Sequence, residues 1–325
     1  MAKNANLRNA QAVKADEFYT DLTDIEKEMS HYKDFFKGKV VYCNCDDARE
    51  SNFFKYFSKN FEFLGLKKLI TTGYKAEGKG VVLIYEGDKD GNRKVDDYEV
   101  EVRELEGSGD FRSEECIEFL KEADVVVTNP PFSLFREYIK QLMDYNKKFI
   151  VLGNMNSILC KEIFPLVKHN LLWWGVSIHS GDRKFYVPEN YPLDAAGCGV
   201  DENGRRFIRV KGVRWWTNVE NKNRHERLDL YKRYSNEYMK FDTFDAINVN
   251  KTCDIPCDYD GIMGVPITFF DKYCPEQFEI VDGANRYLIF DSFGTNEKVK
   301  LNHGHSCNID GKATYFRILI RKRNA

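Results

Sequence analysis

Apolar positions recur along the chain in two periods, one helical and one strand-like. Ile25, Met29, Tyr32 and Phe36 fall at three-to-four spacing and predict a helix over 16–36. "KVVYC" (39–43) then predicts a strand, Ser51 is a cap for the aromatic helix "NFFKYFSKNF", and "LKKLITT" predicts a second strand. A hairpin follows, with strands at 80–86 and 97–105 around an Asp-Gly-Asn turn. Ser113 is placed to cap the helix "EECIEFLKE". "ADVVVTN" is a near-continuous apolar run, the pattern of a strand buried on both faces at the centre of a parallel sheet. After it come the helix "FSLFREYIKQLMDY", the strand "KKFIVLG" and a helix beginning near Ile158.

Strands alternating with helices at this length predict right-handed crossovers and a doubly wound, mostly parallel α/β sheet. The crossover pattern ends near residue 170. "LLWWGVSI", "RKFYVP", "RRFIRV" and "VRWWTN" predict hairpin-joined strands, an antiparallel addition at one edge of that sheet. From 223 to 239 a basic, tyrosine-rich stretch predicts a helix, followed by turns dense in Pro, Gly and Asp and a last strand, "ATYFRILIRKR". These changes of character divide the chain into a domain over 1–222 and a C-terminal region over 223–325.

Composition adds limits. At 325 residues and 42% apolar content the chain can fill one large core and a second module. The first residues lack the apolar segment of a signal peptide and no stretch approaches a membrane span, so a cytoplasmic protein without a membrane partner is expected. Nine cysteines without an export signal predict reduced thiols. Cys43 with Cys45, Cys253 with Cys257, and His303, His305 and Cys307 in "HGHSC" are the closer groupings, but no Cys-x-x-Cys partner accompanies the last, and no metal is expected.

Net charge is −2, yet residues 205–233 hold ten Lys or Arg against three acids. The tail from Lys312 adds five bases and no acid. A neutral chain with basic stripes fits a nucleic-acid binder; a solvated charged face is the plain alternative.

The chemistry concentrates where the central strand stops, in "DVVVTNPPFSLFREYI" (124–139). Ligands of open α/β sheets gather beyond the carboxyl ends of the strands. Pro130 biases Asn129 toward an extended backbone, and neither Pro130 nor Pro131 has an N–H to donate. The Asn129 side-chain oxygen and the Pro130 carbonyl can then both face outward as acceptors, with the Phe132 ring close by. That set suits a planar ring carrying an exocyclic NH2. Two acceptors holding the amine hydrogens turn the nitrogen lone pair toward an electrophile by preorganised electrostatics. Stacking on Phe132 contributes about 1 to 3 kcal/mol. A strand-ending turn is the plain alternative for the four residues alone.

The motif has company. With "DEFYT" (16–20), "KVVYCNCDDARESNFFKYF" (39–57), "LGLKKLI" (64–70), "GDFRS" (109–113), "VVTNPPFSLFREY" (126–138) and "DAINVNKTCDIPCDYDGIMGVPITFF" (245–270), the chain resembles the EcoRI-type adenine-specific (N6) DNA methyltransferases. The resemblance implies a Rossmann-like class I S-adenosylmethionine-dependent methyltransferase sheet with a C-terminal DNA-recognition region. It implies methyl transfer from S-adenosylmethionine to N6 of an adenine flipped out of duplex DNA. Asn129, Pro130 and Phe132 match the target-base motif. Asp16, Phe18, Tyr19 and Thr20 match the block that closes over the cofactor's methionine part. Asp46 and Asp47 lie where the amino-acid moiety is held, and Gly109, Asp110 and Phe111 match the block around the cofactor adenine.

Two departures stand out: the loop after the first strand has no glycine, and the second strand ends "ITTGY" without the acid that binds ribose hydroxyls. Phe185 is the candidate for the second face of the base, with Trp215 and Trp216 read as packing residues. Arg205, Arg206, Arg209, Lys211, Arg224 and Arg227 are the candidates for DNA contact. Duplex DNA is the expected partner, a monomer the expected working form, and a cognate restriction endonuclease acting on the same site is left open. The alternatives are transfer to RNA adenine or to a protein glutamine amide, and a decayed methyltransferase fold serving as a DNA-binding regulator.

Overall fold

Short polar side chains set the helix starts. Asp21 accepts from Thr23 N at 2.9 Å and opens α1 (Leu22–Met29), and Ser51 accepts from Phe53 N at 3.2 Å and opens α2 (Asn52–Lys59). α3 (Phe61–Leu64) ends on left-handed Gly65, and Ser113 accepts from Cys116 N at 3.4 Å to open α4 (Glu114–Glu122). Each of the Asp21, Ser51 and Ser113 side chains satisfies a donor that the first helical turn leaves without an intrahelical partner. The computed structural model describes residues 18–46, 48, 50–75, 77–189, 191–193, 197–242, 244–284 and 308–323. Asp16, Asp47, the side chain of Asp46, and the "HGHSC" motif lie outside them.

The chain divides into two compact units, Met1–Ser157 with Gly175–Val219 and Ile158–Trp174 with Glu220–Ala325. In the first, β2 (Val40–Asp46), β3 (Lys68–Gly73), β4 (Val81–Tyr85), β5 (Val100–Glu104), β6 (Val125–Thr128), β7 (Lys148–Asn154) and β12 (Val213–Thr217) form a mixed sheet in the order β5-β4-β3-β2-β6-β7-β12. β3, β2, β6 and β7 run parallel; β4, β5 and β12 are antiparallel additions at its edges. All four residues of β6 are buried, as an apolar run at the sheet centre requires. α5 (Phe135–Asp144) buries Phe135, Tyr138, Ile139 and Leu142, a single stripe at helical spacing.

Five sequence expectations are corrected. The helix over 16–36 is shorter: Tyr19–Thr20 is a strand, β1, the Asp21 cap delays α1, and Lys33–Phe36 is a 3-10 turn. The helix near Ile158 is a 3-10 turn, Met155–Leu159, before α6 (Phe164–Lys168), whose Pro165 suits only a first turn. "LLWWGVSI" keeps two strand residues, Trp173–Trp174 (β8). Of the hairpin strands β12 joins the large sheet beside β7. β9 (Asp182–Tyr186), β10 (Gly199–Val200) and β11 (Arg206–Lys211) form a separate antiparallel sheet with β1, in the order β1-β9-β11-β10. The basic helix over 223–239 reduces to one 3-10 turn, Lys222–His225, because the stretch is polar all round and offers no stripe to bury.

Beyond that turn Gln277 stands in for a strand. Its Oε1 accepts from Leu228 N at 2.7 Å and its Nε2 donates to Leu228 O at 2.8 Å. Further along, Cys257 N donates to Lys232 O at 2.8 Å. The second unit's sheet orders β13 (Ala246–Asn248), β14 (Ile262–Val265), β18 (Arg317–Lys322) and β15 (Phe278–Ala284), with a short hairpin β16 (Asn308–Ile309) and β17 (Lys312–Ala313).

The glycine-free loop solves its geometry at Cys45. Its φ is +68°, and the register of β2 against β3 shifts between Cys43 and Asp46. A thiol-bearing residue therefore takes the left-handed conformation that glycine adopts without steric cost. Cys45→Val is expected to cost about 1 to 2 kcal/mol in urea unfolding, because a β-branched side chain is strained at positive φ, while Cys45→Gly stays within about 0.5 kcal/mol of wild type.

Candidate active site

The carboxyl ends of β2, β3 and β6 bring most of the described candidates to one end of the sheet. Asn129 follows β6 directly and is 5% exposed. Its Nδ2 donates to the Phe18 carbonyl at 2.7 Å, while its Oδ1 is buried with no hydrogen-bond partner. The arrangement is directional. A carbonyl can only accept, so Phe18 O fixes the nitrogen inward and leaves the oxygen as an unused acceptor. A buried acceptor without a donor costs about 1 to 3 kcal/mol, a cost characteristic of functional positions. The turn bond of the motif falls on Pro131, whose carbonyl accepts from Leu134 N at 3.0 Å, so Pro130 O stays outside it.

Three rings, one of them in the motif, pack on one another. Phe18 and Phe132 lie 5.9 Å apart between centroids, Phe18 and Phe185 5.8 Å, and Phe132 and Phe185 6.2 Å with planes at 89°. Phe185 is 1% exposed, and Phe132 is partly buried. A planar guest touching both Phe132 and Phe185 face to face needs about 7 Å between them at ordinary carbon contact distances. The rings fill that space with each other and must turn to admit one.

A polar network behind the motif was invisible in the sequence. Thr128 Oγ1 donates to Asn44 O, and the Tyr138 hydroxyl donates to Asn44 Oδ1. Burial holds the Tyr138 phenol well above its ordinary pKa, so it stays a donor. Tyr138 also packs edge-on to Phe111 at 5.0 Å. Asn44 and Tyr138 sit 94 residues apart, and no local pattern signals their meeting.

The "GSGD" loop reaches the same end of the sheet. Gly109 has φ +80°, and a Cβ there would lie 2.3 Å from Gly73 O at the end of β3. Only glycine permits that backbone approach. Asp110 is held by its neighbour: Arg112 Nε donates to Oδ1 at 2.8 Å, Nη2 to Oδ2 at 2.6 Å, and the Arg112 N–H to Oδ1 at 2.9 Å. These bonds lower the Asp110 pKa, the guanidinium contact first among the causes. Phe111 is 5% exposed, with the Arg112 guanidinium 5.1 Å above its ring. Thr20 is 1% exposed, and its hydroxyl has no hydrogen-bond partner; Tyr19, beside it, pairs with Tyr186.

The basic candidates divide. Arg205 is exposed, stacks 3.7 Å from the Tyr186 ring centre and pairs with Asp201 at 3.5 Å. Arg206 Nη2 donates to Tyr191 O at 2.7 Å, and Arg209 pairs with Asp182 at 3.3 Å. Lys211 and Arg227 are exposed. Arg224 is 9% exposed, bonded to Glu220 and Asn170 and stacked 3.7 Å from Trp173. In the tail, Arg317 bonds Asn248 at 2.9 Å, Arg321 pairs with Glu279 at 3.2 Å and Lys322 with Asp260 at 3.6 Å. Much of the charge that reads as a surface stripe thus has an intramolecular partner. Trp215 and Trp216 are fully buried packing residues, as expected.

Residues 6–323 match the family model described as adenine-specific methyltransferase EcoRI. The chain belongs to that family. It is 46% identical to the Type II methyltransferase M.EcoRI of Escherichia coli, with 99% of each chain covered. It is 39% identical to M.MgeORF184P of Mycoplasma genitalium, over 98% of this chain and 99% of the relative, and 39% identical to M.MpnI of Mycoplasma pneumoniae, over 97% of each. Both are named Type II methyltransferases. Membership makes the chain a DNA methyltransferase enzyme of the adenine-specific class. Among the described residues, no helix is long and apolar enough to cross a membrane.

The Asp110–Arg112 pair has a pH signature. A carboxylate whose pKa is lowered on folding contributes stability above its unfolded value, near 3.9, which is lost as pH falls through the lowered folded value. Arg112→Ala removes the main lowering contact. The acid unfolding midpoint, followed by tryptophan fluorescence, is expected to move to higher pH; an unmoved midpoint would show the pair to be without effect.

Proposed function

We propose that the chain transfers the methyl group of S-adenosylmethionine to N6 of an adenine turned out of duplex DNA, on a Rossmann-like class I methyltransferase sheet. The observation that carries this reading is the buried Asn129 oxygen, locked as an acceptor and lacking a donor. An exocyclic amine supplies that donor. When bound, S-adenosylmethionine contributes an electrophilic methyl on a sulfonium sulfur. The residues at the strand ends fit such a guest: the buried Thr20 hydroxyl has hydrogen-bonding capacity unused, and the close Gly73–Gly109 backbone approach brings Asp110 and Phe111 to the end of β3.

In this reading Asn129 Oδ1 and Pro130 O accept the two amine hydrogens. That withdraws the nitrogen lone pair from the ring and aims it, lowering the barrier by preorganised electrostatics and positioning. No base is needed before attack, since the proton becomes acidic once the nitrogen is alkylated. Phe132 and Phe185 part from each other and cover the two faces of the extruded base. Asp16, Phe18, Tyr19, Thr20, Asp46, Asp47, Gly109, Asp110 and Phe111 are proposed to line the cofactor site. Arg112 orients the Asp110 carboxylate and leaves part of its acceptor capacity for the adenine of the cofactor, because a carboxylate offers about four lone-pair sites.

The C-terminal region over 223–325, together with the basic segment 205–233, is proposed to hold and read the DNA. Arg205, Arg206, Arg209, Lys211 and Arg227 are assigned to phosphates, which position the duplex without specifying sequence. Arg224 acts from inside, bonded to Glu220 and stacked on Trp173. The Type II names of the relatives support a cognate restriction endonuclease acting on the same site.

Asn129→Ala is expected to lower kcat by about 10² to 10³-fold or more while leaving duplex affinity within about threefold. Wild-type turnover in that variant would remove the role assigned to the amide. Phe132→Ala is expected to weaken base extrusion by about 1 to 3 kcal/mol, read from 2-aminopurine fluorescence at the target position, with a smaller effect on duplex binding. Labelled methyl transfer to duplex DNA, RNA and protein tests the substrate class, and label confined to RNA or protein would overturn the proposal. Long-read sequencing of DNA from an expressing cell gives the modified base and its context together.

A further inference from the structure

Two side-chain amides hold the same three-residue segment. Asn129 Nδ2 donates to the Phe18 carbonyl at 2.7 Å, and Asn52 Nδ2 donates to the Thr20 carbonyl at 2.7 Å. Between them Tyr19 lies opposite Tyr186 and Thr20 opposite Phe185 in the β1–β9 pairing. The segment is held along β9 and at both ends. Asn52 is the first residue of α2, one position after the Ser51 cap and a few residues beyond the Cys45 turn.

The Phe18 carbonyl decides which end of the Asn129 amide faces outward. A half-turn of that amide would set two carbonyl oxygens against each other and present N–H groups to an incoming amine, donor against donor. The Phe18 ring, packed against Phe132 and Phe185, locates that carbonyl from one side, and the anchors of β1 at Thr20 locate it from the other. A two-residue strand has few ladder bonds, so a side-chain bond to Thr20 O is a large share of them.

We propose that Asn52 is a positioning residue for methyl transfer: by holding Thr20 O it fixes Phe18 O, which turns the Asn129 oxygen toward the base amine. The inference rests on the role given above to Asn129. Asn52 touches no reacting atom. It joins the helix that follows the β2 loop, the proposed seat of the cofactor's amino-acid part, to the amide that receives the base. Cofactor binding and base capture therefore share one segment, and any coupling between them is reciprocal.

Asn52→Asp keeps the size of the side chain, loses the N–H donor and puts a carboxylate where the helix dipole favours one, so the helix is retained. Asn52→Ala removes the contact without adding charge. The assay uses full-length protein, S-adenosylmethionine and unmethylated plasmid duplex in single turnovers. Both variants are expected to slow methyl transfer about tenfold, with dissociation constants for S-adenosylmethionine and for the plasmid within about threefold of wild type. Rates within about twofold of wild type in both variants overturn the assignment. A loss of cofactor affinity in proportion to the loss of rate also overturns it, because Asn52 would then be a binding or folding residue. An active Asn129→Ala would fail the underlying reading; an inactive Asn129→Ala beside wild-type rates in both Asn52 variants removes Asn52 alone.

Discussion

The hydrogen bond from Asn129 to the Phe18 carbonyl is the constraint around which the first unit is arranged. An amide is ambiguous by itself, since a half-turn exchanges donor and acceptor with little change of shape. One backbone carbonyl removes that ambiguity. To supply it, the chain carries an extended segment from beyond the sheet to the end of the central strand, pairs it with β9, and stops it with the Asp21 cap before α1 begins. The antiparallel sheet built on β9 and β11 has a mechanical place in this scheme, because it gives the short strand something to lie against. The orphaned oxygen is the other end of the same amide, and the proposed chemistry begins there.

The parallel sheet was legible because its cause is local. The buried run at 125–128, the serine caps at 51 and 113, and the stripe on 135–144 are each written within a dozen residues. The Asn-Pro-Pro-Phe motif could be read for the same reason: two prolines and an amide at a strand end restrict one another. The contacts that orient the motif could not. Phe18 meets Asn129 across 111 residues, and Asn44 meets Tyr138 across 94. Such pairings depend on the assembled sheet and leave no period or spacing behind.

Errors of expectation have physical causes of the same kind. The stretch from 223 to 239 has helix-forming residues but no face to bury, and tertiary hydrogen bonds outweighed its propensity. The hairpin strands after 170 alternate correctly, but alternation does not say which sheet a strand joins. Charge runs misled in proportion to their hidden partners: Arg224 and Arg317 sit inside, bound to polar side chains distant in sequence. The missing glycine in the loop after β2 proved to be a missing residue type rather than a missing conformation, since Cys45 adopts the backbone angle itself.

The Gln277 clasp on Leu228 carries a consequence for how such a chain can change over generations. Both bonds end on main-chain atoms, as does the bond between Cys257 and Lys232 further along. The course of the stretch is thus fixed through atoms common to every amino acid except proline. Side chains between those points, among them the exposed Asp229 and Tyr231, can be exchanged without rerouting the backbone. A surface tied down in this way is free to drift in chemistry while holding its form, and lineages sharing the fold can diverge there without first losing it.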